Sequence, residues 1–152
     1  MDEIEYIAEG LKALNNAAVS LVLKGDYEGA EKMFRSVEEM AMLFCYEEGV
    51  GMTRVSMANL SMARGNIMDA LAHIEAAIGL FPPGDDRDAA CDMQKKISLH
   101  ALESGMEKER AGDLKGALEM FETILPILNE KRAELVAAEI ENIKRYLESG
   151  SE

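Results

Sequence analysis

The chain has 152 residues, 48% of them hydrophobic and 30% charged, which suits one folded domain and excludes an intrinsically disordered segment. A net charge of −13 excludes nucleic acid and anionic membrane surfaces as partners, because both need basic patches. Only three prolines, no tryptophan and a predominance of Leu, Ala, Met and Glu point to an all-α protein.

Residues 2–9 are acidic where a secretory leader is basic, and no apolar run approaches the ~18 residues of a membrane span. The expected setting is the cytoplasm, with Cys45 and Cys91 as reduced thiols. The first predicted helix covers 3–24, and its centre, 13–23, carries no charge. Gly25-Asp26 ends it, and a second helix follows over 27–46. The glycines of Glu47-Glu48-Gly49-Val50-Gly51 predict a connection there, with Glu47 and Glu48 able to extend either flank, and the third helix is expected over 51–64. Gly65-Asn66 separates it from a fourth over 67–80.

Phe81-Pro82-Pro83-Gly84-Asp85-Asp86 reads as a loop, because two successive prolines cannot continue a helix. Asp85 and Asp86 suit the start of a fifth helix over 87–111, where acids meet the positive end of the helix dipole. Gly112-Asp113 ends that helix, a sixth covers 114–128, and a seventh covers 130–148. In the seventh, Ala133, Val136, Ala137, Ile140, Ile143 and Leu147 form one apolar stripe.

Three stretches share one grammar: KGDYEGAEKMF at 24–34, RGNIMDALAHI at 64–74 and AGDLKGALEMF at 111–121. Each has a turn glycine, an alanine five residues on and a large apolar residue four beyond it. A recurring helix–turn–helix unit cannot bury its apolar face alone and must stack on its neighbours. The glycine spacings are 40 and 47 residues, so the units are elongated. The expected architecture is a single domain over 1–152, an α-solenoid of antiparallel helix pairs with about seven helices. Its units fall at about 11–44, 51–84 and 98–131, with a capping helix at about 130–148.

These residues resemble the tetratricopeptide repeat (TPR) family. The matches are Ala18, Gly25, Tyr27, Ala30 and Phe34; then Ala58, Gly65, Ile67, Ala70, Ile74, Ala77 and Pro82; then Gly105, Gly112, Leu114, Ala117, Phe121 and Ile124. The units depart from the family pattern at Leu14, Arg54 and Ala101, which stand where its first-helix aromatic belongs, and two units lack the closing proline. The resemblance implies a protein-binding groove lined by the first helix of each pair. On this chain it presents Lys12, Asn15, Val19 and Val22, then Met52, Val55, Asn59 and Met62, then Leu99, Leu102, Met106 and Glu109. The Lys/Asn/Arg clamp that some family members close on acidic tails is not expected, because Ser56 and Glu103 occupy two of its positions.

What remains is an apolar groove rich in methionine, a flexible and polarizable side chain that adapts to varied apolar ligands. Of eleven methionines, Met33, Met40, Met57 and Met120 are expected in the core, whereas Met52, Met62 and Met106 suit core and groove equally. The expected function is therefore a non-enzymatic protein–protein interaction module, an adaptor or scaffold receiving a partner helix or peptide. The alternative is a self-associating structural protein whose groove is buried in a homodimer.

An enzyme finds little support. His73 and His100 lack neighbours at metal-ligand spacing, so no metal or cofactor is expected. Cys45, between Phe44 and Tyr46, reads as packing, and Cys91 as a structural thiol flanked by acids. The run 85–88 lacks the alternation and the closing glutamate of a calcium loop, and no phosphate-binding glycine loop occurs.

Overall fold

In the computed structural model, which describes residues 2–150, seven α-helices follow one another. They are α1 (Glu3–Leu23), α2 (Tyr27–Leu43), α3 (Glu47–Ala63), α4 (Ile67–Leu80), α5 (Asp85–Arg110), α6 (Leu114–Ile124) and α7 (Glu130–Gly150). A 3-10 turn at Leu125–Ile127, containing Pro126, separates α6 from α7. No strand occurs among the described residues, so the chain is all-α as its composition implies.

Four of the connections are the same turn. Gly25, Cys45, Gly65 and Gly112 donate their N–H groups to Val22, Met42, Met62 and Glu109. The next residues, Asp26, Tyr46, Asn66 and Asp113, donate to Leu21, Ala41, Ser61 and Lys108. These paired bonds satisfy carbonyls that a helix end leaves open, and they require a left-handed residue at the turn. Gly25, Gly65 and Gly112 supply it at φ 83°, 76° and 87°, and Cys45 adopts it at φ 54°. The following helix is capped at once: Asp26, Asn66 and Asp113 accept from the amides of Gly29, Asp69 and Gly116 at 3.0, 3.5 and 3.0 Å.

The second of these turns corrects the expected third helix. It begins at Glu47, not at 51, and Gly49 and Gly51 lie inside it. Neither glycine is needed for a turn. A Cβ on Gly49 would run into the Tyr46 ring, and one on Gly51 would stand 2.8 Å from Phe81 Cε1. The sixth helix is correspondingly shorter than expected, because its last residues tighten into the 3-10 turn at Pro126.

The chain divides into two compact units between Met93 and Gln94, inside α5. In the first, α1 packs on α2 and α3, α2 on α3, and α3 on α4. One core cluster joins Ala18, Ala30, Phe34, Met57 and Leu60, with Met33 packed against it. A second joins Leu11, Val37, Ala41 and Val50, with Met40, Tyr46 and Leu80 at its edge. Ala18, Ala30, Ala58 and Ala70 are fully buried, the close backbone approach that their recurrence implies. In the second unit Ala117, Met120, Phe121 and Ile124 form the buried face of α6. Val136, Ile140 and Ile143 are the buried residues of α7, which packs on α6. Each large apolar side chain so buried contributes roughly 1.5–3 kcal/mol.

Candidate functional site

α3 presents two chemically opposite faces. At 100° per residue, Met52, Val55, Asn59 and Met62 share one arc of the helix, and Arg54, Met57 and Ser61 share the reverse. The reverse face forms the floor of a polar cleft of about 240 Å3 between α2 and α4. There Arg54 Nη2 donates to Glu38 Oε1 at 2.9 Å, and Arg54 Nη1 meets His73 Nδ1 at 3.1 Å. One guanidinium thus ties three helices together. Glu31 accepts from Arg35 at 2.9 Å and from Arg64 at 3.0 Å, which holds its carboxyl below the usual range. Arg64 also stands 5.8 Å over the ring of Tyr27.

This cleft is spent internally. Each of its arginines has a carboxylate partner, Arg35 and Arg64 sharing Glu31 and Arg54 pairing with Glu38. Burial and the neighbouring Arg54 push His73 below its ordinary pKa, so the ring is neutral at pH 7. The arrangement ties α2, α3 and α4 together through side chains. One oxygen, Glu38 Oε2, is buried without a hydrogen-bond partner.

The apolar arc of α3 is different. Met52, Val55 and Met62 are half-buried and Asn59 is exposed. Along α1, Val19 is exposed at the margin of the inward stripe, and Val22 packs against the first core cluster. Asn15 is placed otherwise than expected. It lies on the inward stripe between Leu11 and Ala18, only 9% exposed, and its Oδ1 has no partner. The one-turn spacing from Leu11 brings it inside, so it is not available to a ligand. In the second unit Leu102 is half-buried and Met106 exposed.

Three features escaped the sequence reading. Cys45 and Phe44 are exposed, not packed, and with Met42 and Leu43 they form an apolar tip at the α2–α3 turn. The signal was present in the run Met42-Leu43-Phe44 directly ahead of a turn residue. In the second unit Glu109 and Glu139 form a hydrogen-bonded carboxyl pair beside a cavity of about 480 Å3 that Tyr146 also lines. That bond, with burial and repulsion from Glu139, pushes Glu109 up to about 7. The third is the bridge from Glu38 through Arg54 to His73, whose members lie 16 and 19 residues apart and leave no local pattern.

Among the described residues no group of three or more His, Cys, Asp or Glu is placed to hold a metal ion. Among those residues, too, no helix is long and apolar enough to cross a membrane. Set against known protein families, curated proteins and solved structures, the chain gives no match.

Proposed function

We propose that the chain is a non-enzymatic protein-interaction module of tetratricopeptide-repeat type, which receives a helix or extended peptide of a partner protein along α1 and α3. One observation carries this reading. The polar face of α3 is consumed by pairing within the protein, while Met52, Val55 and Met62 on the other face remain partly open and have no polar duty. A helix that turns flexible apolar side chains outward matches helix-in-groove recognition, in which anchors spaced by one turn meet a complementary stripe. Two further observations support it. Turns of one hydrogen-bonding pattern recur, and buried small residues stand at the helix crossings.

The test is affinity capture from native lysate with the wild-type chain and with Val55→Glu/Met62→Glu. An apolar ligand would have to bury two carboxylates, which costs several kcal/mol each when they are left unpaired. Loss of capture with helicity intact supports the reading. Undiminished capture moves the site off this face, and unfolding makes these residues core. Light scattering then separates an adaptor from a self-associating protein, since only the second must be a dimer.

A further inference from the structure

The α2–α3 turn shares its hydrogen bonds and its left-handed residue with three others, but not their residue types. Where those turns use glycine at the left-handed position, this one uses Cys45 at φ 54°, a conformation that side-chain-bearing residues rarely adopt. Where they follow with Asp or Asn as a cap, this one has Tyr46, with no side-chain cap bond. Ahead of it stand Met42, Leu43 and Phe44, which are 61%, 81% and 55% exposed. Packing explains Tyr46, whose ring covers Gly49 and joins the second core cluster. It does not explain three neighbouring apolar side chains held out in solvent.

Two clefts open beside this tip. One, of about 420 Å3, is lined by Met42, Val50, Ala76 and Leu80. The other, of about 530 Å3, is lined by Tyr46, Leu80, Phe81 and Pro82, and Cys45 and Glu47 border both. The rim is acidic. Arg54 reaches the first cleft already paired to Glu38, whereas Glu47 and Glu48 meet no cation among the described residues. Glu48 and Asp86 both lie close enough to Tyr46 to add to the effect of burial in raising its phenol.

We propose that this end of the first unit is a second docking surface, and that its occupant is a basic amphipathic helix of a partner protein. Apolar anchors of that helix enter the clefts beside Met42 and Leu80, and its lysines or arginines pair with Glu47 and Glu48. The proposal rests on the reading of the chain as an interaction module but uses the opposite end of α3 from Met62. A second copy of this chain is a poor occupant. It carries a net charge of −13, and a two-fold contact here would set Glu47 and Glu48 against their own counterparts.

The test uses the full chain and a synthetic 18-residue helical peptide of alanine, leucine and lysine, with leucines spaced i, i+3, i+4, i+7 and one tryptophan. The protein has no tryptophan, so peptide fluorescence reports binding directly. The expected result is saturable binding that vanishes when glutamate replaces every lysine of the peptide. Leu43→Ser/Phe44→Ser should weaken it at least tenfold with the melting temperature unchanged, since both side chains are exposed. Glu47→Gln/Glu48→Gln should weaken it severalfold, and Glu134→Gln/Glu141→Gln, an equal loss of charge on exposed positions of α7, should not. Absence of binding overturns the proposal, as does equal weakening by the two neutralised variants, which would mark attraction to net charge alone. Binding lost in Val55→Glu/Met62→Glu but kept in Leu43→Ser/Phe44→Ser also overturns it, while leaving the α1–α3 reading intact.

Discussion

The ring of Phe121 lies where the side chain of residue 105 would begin: a Cβ on Gly105 would stand 2.6 Å from Phe121 Cε1. Phe121 is itself only 2% exposed, so its ring cannot swing aside. Gly105→Ala gains the helix propensity that alanine holds over glycine, about 1 kcal/mol, and loses more to overpacking, typically about 1–3 kcal/mol. A lower melting temperature is expected, recovered when Phe121→Leu is added. Gly10→Ala is the control, because nothing lies within 4 Å of its missing Cβ. It should raise stability by about 0.5–1 kcal/mol.

Cys45 holds a conformation that glycine takes without strain. Cys45→Gly should therefore raise the melting temperature, by about 1 kcal/mol of stability, even though glycine also loosens the unfolded chain. The reciprocal change, Gly65→Ala at φ 76°, should lower it by a similar amount. A Cys45→Gly melt equal to that of wild type would mean that the α2–α3 turn relaxes freely.

This turn also shows what the sequence conveys and what it hides. Gly25, Gly65 and Gly112 announce their turns because glycine followed by Asp or Asn is the usual chemistry of a left-handed helix end and the next cap. Cys45-Tyr46 carries neither signal, although it lies midway between Gly25 and Gly65. Gly49 and Gly51 look like turn residues in one dimension, yet they are helical and serve by lacking a Cβ under the rings of Tyr46 and Phe81. Local sequence cannot distinguish a glycine needed for its backbone from one needed for its emptiness, because the ring that fills the space at Gly51 comes from thirty residues away. The same holds at the candidate site. The apolar arc of α3 is legible from helical spacing, but which flank of α1 turns inward is not, and Asn15 falls on the buried side.

Ala70 is fully buried in α4, at the close crossing with α3. Ala70→Leu should overpack that crossing by about 1–3 kcal/mol, read as a lower thermal or urea midpoint. An unchanged midpoint would contradict the register of the α3–α4 pair.

The Glu109–Glu139 pair predicts a pH dependence of the second unit. Glu109 titrates near 7 in the folded chain and near 4.5 when unfolded, so the folded state holds the extra proton. Its contribution is complete below about pH 4.5, declines between 4.5 and 7, and is absent above that, where two carboxylates face each other. Glu139→Gln leaves an amide that donates to Glu109 at any pH. Relative to wild type, this variant should melt a few degrees higher at pH 8 and show no such advantage at pH 5. A constant difference across that range would mean that the two carboxyls do not share a proton.

The most direct measurement of the α1–α3 interface is hydroxyl-radical footprinting of methionine in the captured complex. Met52 and Met62 are half-buried in the free chain and therefore oxidise measurably, whereas Met57 and Met120 are core residues that set the baseline. Partner binding along α3 predicts at least a severalfold fall in oxidation of Met52 and Met62 together, with Met57 and Met120 unchanged. Oxidation of Met52 and Met62 that is the same in the complex as in the free chain would contradict it.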